Sequence, residues 1–239
     1  MLSKNQQKFI RQLSQKKYRK ETGLFVAEGE KLVNDLLDSE WKADQVYTAV
    51  PLKKTPYTLV ELSVLKKISH LASGSPVLGL FKLPNYDLVD LDIKGFSLVL
   101  DSIADPGNLG TIIRLCDWYG IKNLFCSPNT VDCFNPKVIQ STMGSIARVK
   151  CHYIDLLYLI ENYNAKVYAA TLDGNSHYHE SFPSNGLLVI GNESHGISKE
   201  LLKKIEKRVS IPSRFVNYGP ESLNAASATA ILLSEIFRP

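Results

Sequence analysis

The sequence predicts an α/β protein in which a mostly parallel sheet, covered by helices on both faces, follows a smaller α/β unit. Short apolar runs recur through the second part: FSLVLDSI (96–103), KNLFCS, RVKCHYI, KVYAATL, LLVIGN and RVSIP, with helical patterns between most of them. Strands buried on both faces and joined by crossover helices read this way. Strand-like and helix-like patterns also alternate over the first 80 or so residues, as expected of a small α/β unit. Between the two parts, KLPNYDLVDLDIKG breaks the periodicity with Pro84, Asn85 and polar turns. The boundary is placed near residue 90, giving domains 1–88 and 89–239.

In chain order, residues 4–20 read as one basic helix, GLFVAEG (23–29) as a strand and EKLVNDLLDS (30–39) as an amphipathic helix. QVYTAV and TLVEL supply short strands, SVLKKIS a helix, and VLGLF the strand that closes this part. Beyond the boundary, TIIRLCDWYG is a helix ended by Gly120, with Asn108 as its cap. Leu109, Ile112, Ile113 and Cys116 share its apolar face, and Arg114 lies opposite with Asp117 and Trp118. Ser198 is placed to cap SKELLKKIEK, and Ser222 to cap a helix of small residues running from Ala225 to Ala230. His177 and His179, two apart in a loop with no metal-ligand pattern nearby, read as surface, and His195 as incidental.

The chain has 239 residues, 44% of them hydrophobic, enough for a sizeable core. Its apolar runs fall far short of the roughly 20 residues that cross a membrane, and no apolar signal region opens it, so no membrane association and a cytoplasmic location are expected. Cys116, Cys126, Cys133 and Cys151 match neither a C-x-x-C zinc site nor a disulfide framework; they read as reduced thiols, with no metal site. Of 28 Lys and Arg residues, seven fall within residues 1–20, where no acidic residue occurs. This segment, with Lys16, Lys17, Arg19 and Lys20 and interleaved glutamines and aromatics, reads either as a phosphate-backbone contact surface or as a solvated helix face.

One loop poses a chemical question. LLVIGNESHGIS (187–198) follows an apolar strand and has both glycines and the terminal serine of the phosphate loop G-x-x-x-x-G-K-[ST], but Ile197 stands where the lysine belongs. Such loops work because backbone N–H groups and a lysine converge on anionic oxygens; Glu193 would add a further anion. The pattern is either an ordinary strand-to-helix turn or the wall of a pocket for a ligand without phosphates.

Taken together, NLGTIIRLCDWYG, NPKVIQSTMGSIARV, LVIGNESHGIS and SIPSRFVNYGPESLNAASATAI occur in the order and spacing of the SpoU-type RNA 2′-O-ribose methyltransferases, which this sequence resembles over about 130 residues. The first 85 residues also resemble that family's frequent N-terminal substrate-binding domain, through KYRKETGLFVAEGEKLV and ISHLASGSPVLGLF. The resemblance implies a homodimeric α/β domain whose C-terminal part forms a deep trefoil knot. It implies S-adenosylmethionine as methyl donor, held by Thr171, Leu172, Ile190, Gly191, Asn192, Gly196, Ile211, Pro212, Leu223 and Ala225. It assigns Asn108, Arg114, Glu193, Ser222 and Asn224 to the catalytic centre. A sulfonium donor without phosphates would explain the missing lysine.

One departure stands out: Ser213 replaces the usual Met of the third motif, and the interval from Pro212 to Ser222 is about three residues longer than usual. Insertions in a surface loop are cheap, so donor binding is expected to survive. The resemblance points to ribosomal rather than transfer RNA, because the extra N-terminal domain accompanies ribosomal members more often. Two competing readings are a non-catalytic RNA-binding protein that keeps the fold, and a nucleotide hydrolase, which the missing lysine disfavours.

Overall fold

The computed structural model describes residues 2–39, 41–53, 55–86, 93, 95–214 and 221–238. The chain divides into two compact units, residues 1–85 with 132–148 and residues 86–131 with 149–239. The first contains α1 (Lys4–Gln12), α2 (Lys16–Thr22), β1 (Leu24–Glu28), α3 (Glu30–Leu37), β2 (Ala43–Thr48), β3 (Thr58–Leu59), α4 (Leu62–Ile68) and β4 (Val77–Lys82). The chain continues with β5 (Phe96–Asp101), α5 (Pro106–Trp118), β6 (Asn123–Cys126), α6 (Pro136–Ser141), β7 (Lys150–Tyr153), α7 (Leu156–Asn162), β8 (Val167–Ser176), β9 (Gly186–Gly191), α8 (Lys199–Lys204), β10 (Lys207–Ser210) and α9 (Ala225–Ile236).

In the first unit a four-stranded sheet runs in the order β1-β4-β2-β3. Residues 132–148, which stand in the second half of the sequence, belong here because their apolar side chains are used here. Phe134 packs 5.0 Å from Phe25 and 5.9 Å from Trp41, between ring centroids, and α6 packs on β1.

The single basic helix expected over residues 4–20 is instead two helices. Leu13, fully buried, is the C-cap of α1. The carbonyls of Leu13 and Ser14 accept hydrogen bonds from the Arg19 guanidinium, both at 2.8 Å. That guanidinium also pairs with Asp132 and is 2% exposed. Expected as an RNA contact, Arg19 is instead buried, with its Nη1 and Nη2 groups engaged inside the protein. Ser3 and Gln6 form a capping box that starts α1, two orphan donors satisfied reciprocally.

The second unit carries six strands in the order β10-β8-β9-β5-β6-β7, and every neighbouring pair is parallel. Val99, Phe125, Ala169, Leu187 and Val189 build the core on one face, as the apolar runs require. Strand β8 runs on past Ala170 to Ser176. Its register against β10 jumps there, from Arg208 opposite Ala169 to Val209 opposite Asn175, leaving residues 170–174 unpaired on that side, a bulge that re-aims side chains.

Three local expectations are corrected. The helix of Arg114 begins at Pro106, and its cap is Asp105, whose carboxylate accepts the Asn108 N–H at 2.8 Å. Proline at the first helical position wastes no donor, so the start shifts upstream and the Asn108 carboxamide is freed for other work. The last helix is capped by Asn224 rather than Ser222, its side chain accepting from Ala226 and Ser227 N–H. His177 is 1% exposed, with Nδ1 3.1 Å from the Ser210 carbonyl oxygen, so it is not a surface residue. Ser198 does stand at the N-cap of α8, but its side chain makes no cap bond.

All four cysteines are buried and form no disulfide, and burial pushes the Cys116 thiol up from its ordinary value. No group of three or more potential metal ligands occurs among the described residues. No described helix is long and apolar enough to cross a membrane. The expected boundary near residue 90 and the longer interval from Pro212 to Ser222 both fall largely outside the described residues.

Candidate active site

In the second unit, β5 and β9 end side by side, with Asp101 opposite Gly191. Ligands on open parallel sheets bind beyond the carboxyl ends of the strands. The loop leaving β9 is closed on itself: Asn192 N–H donates to the Gly196 carbonyl at 3.0 Å, and Gly196 N–H returns to the Asn192 carbonyl at 2.9 Å. Both glycines are demanded by this closure. A Cβ on Gly191 would lie 2.2 Å from the Gly196 carbonyl carbon, and Gly196 has φ +68°, where side chains are strained. Gly191→Ala is therefore expected to cost about 1–3 kcal/mol through overpacking, measured as a lower urea midpoint at unchanged slope.

Side chains fix the same loop from below. Asn192 Nδ2 donates to the Ser102 carbonyl at 2.8 Å, and its Oδ1 accepts from the N–H groups of Ser194 (2.9 Å) and His195 (3.1 Å). The buried carboxylate of Asp101 accepts the Ser198 N–H at 2.8 Å and the Ser102 hydroxyl at 3.0 Å. Ser102 has φ +60°, an uncommon conformation for serine that costs about 1–3 kcal/mol and collects at functional sites. Sequence reasoning missed Asp101 and Ser102. The available signal was an anionic residue ending a strand otherwise buried on both faces.

Above this base lies a cavity of about 460 Å³. Nine of the ten residues expected to hold a donor line it: Thr171, Leu172, Ile190, Gly191, Asn192, Gly196, Ile211, Leu223 and Ala225. Pro212 is the exception; it is exposed and off the wall. Of the expected catalytic residues, Glu193 and Ser222 are also on the wall. Asn108 and Asn224 are joined to it by a continuous relay: Asn108 Nδ2 donates to Glu193 Oε1 at 2.6 Å, and Asn224 Nδ2 donates to Asn108 Oδ1 at 2.8 Å. A carboxylate thus orients one amide, which orients the next. Arg114 is exposed on α5 and its guanidinium has no ion pair or hydrogen bond among the described residues.

The charge of the wall answers the question posed by the missing lysine. Among the described residues it carries the carboxylates of Asp173, Glu193 and Glu221, no lysine, and one guanidinium, Arg208, which is itself 3.2 Å from Asp173. Polyphosphate would meet net repulsion here. The amides, carboxylates and apolar Ile190, Ile211 and Leu223 suit a cationic or neutral ligand with a flat apolar part. These residues fit S-adenosylmethionine on chemical grounds.

Fold and site together define an α/β protein with a ligand cavity, unsuited to phosphates, at the carboxyl edge of a parallel sheet. Residues 95–234 match the SpoU rRNA Methylase family, and residues 4–79 match the MRM3-like substrate binding domain. The chain belongs to the SpoU rRNA methylase family. It is 31% identical to the 23S rRNA (guanosine(2553)-2′-O)-methyltransferase RlmP of Bacillus subtilis, over 97% of this chain and 96% of that one. Its fold matches an AdoMet-bound rRNA methyltransferase from Sinorhizobium meliloti with TM-score 0.88 and 30% identity, covering 100% of this chain and 96% of that one. A TrmH-family chain from Porphyromonas gingivalis is similar at TM-score 0.88 and 36% identity, covering 100% and 99%.

Proposed function

We propose that this protein transfers a methyl group from S-adenosylmethionine to a ribose 2′-hydroxyl of ribosomal RNA. The observation that carries the reading is the Glu193–Asn108–Asn224 relay at a cavity hostile to phosphate. The ligand, when bound, supplies an electrophilic methyl on a sulfonium. The work left to the chain is orientation and proton management, since attacking oxygen, carbon and sulfur must lie in line. Glu193 holds the Asn108 amide, and the two asparagines and Ser222 present hydrogen-bonding groups to the sugar. Arg114, a permanent cation on the exposed face of α5, clamps the adjacent RNA phosphate and orients the ribose. Direct proton abstraction by a guanidinium is disfavoured because it stays protonated.

A homodimer belongs to the same reading. Trp118 is 84% exposed on α5, and α5 packs on α9, which carries the exposed Ile231 and is followed by the exposed Phe237; exposed large apolar side chains on two packed helices support an association surface there. We extend the family's trefoil knot and a cytoplasmic location to this chain as well, the latter in keeping with four buried cysteines that form no disulfide. The N-terminal unit serves as the RNA-binding domain. Ribose-methylation mapping across total RNA, with and without this protein, tests the function. One ribosomal 2′-O-methyl group should vanish without it; a change confined to transfer RNA, or no change at any ribose, contradicts the reading.

A further inference from the structure

We propose that the RNA backbone is gripped by one stripe of α1, Lys4, Lys8 and Arg11, together with Lys67 of α4, and not by the Lys16–Lys20 segment. This rests on the proposed function and deepens it by naming the RNA-binding surface. Positions 4, 8 and 11 fall on one helix face, and Lys67 closes a cleft of about 640 Å³ whose other walls are Gln7, Gln12, Ser14 and Gln15. No carboxylate lines it among the described residues. None of the four cations has an ion-pair partner among the described residues, so their charge is uncompensated and the concavity concentrates it.

The neighbouring basic segment is different. Arg19 is buried on Asp132, and Lys17 lies 3.9 Å from Glu21. Arg19 serves a separate purpose. With His70, whose Nε2 is 3.3 Å from the Arg11 carbonyl oxygen, it holds the carbonyls at the C-terminal end of α1 and so fixes the stripe in place. His70 is itself held by the buried Glu28, which accepts its backbone N–H at 2.7 Å.

Nucleic acid fits the cleft better than a lipid surface does. A membrane-surface helix needs large apolar side chains exposed beside its cations, and none of the exposed large hydrophobics lies on α1. Amides next to cations suit sugar and base edges alongside phosphates.

The test is fluorescence anisotropy of a labelled mixed-sequence RNA hairpin, titrated at several salt concentrations. In the full-length Lys4→Gln/Lys8→Gln/Arg11→Gln variant, the slope of log K against log salt should shrink by about two to three, close to one for each phosphate no longer neutralised. A Lys16→Gln/Lys17→Gln/Lys20→Gln variant should shift it by less than about one. Circular dichroism and calorimetry with S-adenosylmethionine should match the wild type in both, showing that fold and cavity are intact. A wild-type slope in the α1 variant, or a larger loss in the second variant, overturns the proposal. So does an α1 effect confined to phosphatidylserine vesicles with RNA binding unchanged. If the wild type binds RNA but methylates none, the failure lies with the proposed function and not with the stripe.

Discussion

Arg114→Ala is expected to reduce methyl transfer by about 10²–10⁴-fold, the range associated with losing a group that orients or assists proton transfer, while donor affinity stays within about twofold of wild type on the same reasoning. The separation follows from placement. Arg114 is exposed, is not on the cavity wall and holds no other residue in position, so its removal leaves the cavity and fold intact. Arg114→Lys should also be severely impaired, because an ammonium is a point charge and cannot reproduce the planar fork that pairs with phosphate. Single-turnover transfer of labelled methyl to unmodified ribosomal RNA, beside calorimetry with the donor, checks both halves. Near-normal turnover in the alanine variant would remove Arg114 from the mechanism.

Arg19→Ala has the opposite signature: it should destabilise the protein by about 3–5 kcal/mol, the range for breaking a buried ion pair by deleting one partner. Three acceptors lose their donors at once, the carbonyls of Leu13 and Ser14 and the carboxylate of Asp132. Of these, Asp132 matters most, because its side chain is only 15% exposed and its charge would be left uncompensated. In a chain of this size, each kcal/mol moves the melting temperature by about 2–4 °C, so a drop of about 6–20 °C is expected in differential scanning calorimetry. An unchanged melting temperature combined with weaker RNA binding would contradict the structural role and restore Arg19 as an RNA contact.

The same two residues show which features can be read from a linear pattern. The parallel sheet is legible because burial on both faces writes a strand as a continuous apolar run, as in LLVIGN. The family motifs point to one cavity, since nine of the ten residues they single out for a donor line it. The relay partners Asn108 and Glu193 are 85 positions apart, a proximity that periodicity does not encode. Arg19 eludes sequence reasoning for a related reason: a buried arginine and a solvated one look alike in a basic run, and its partner Asp132 lies 113 residues away. Asn108 resembles a cap because asparagine favours that position in general, whereas Asp105 followed by Pro106 is the stronger start locally. A loop histidine such as His177 gives no sign that a later strand, β10, will cover it.

What remains central is the identity of the ligand in the β9 loop. This loop has the glycine spacing of a phosphate cradle, yet with Ile197 for lysine and Glu193 between its glycines it is suited to a sulfonium. Calorimetric titration of the wild-type protein with S-adenosylmethionine and, separately, with ATP decides the matter. Saturable heat with S-adenosylmethionine and none with ATP is the expected result; ATP binding without any response to S-adenosylmethionine would contradict it.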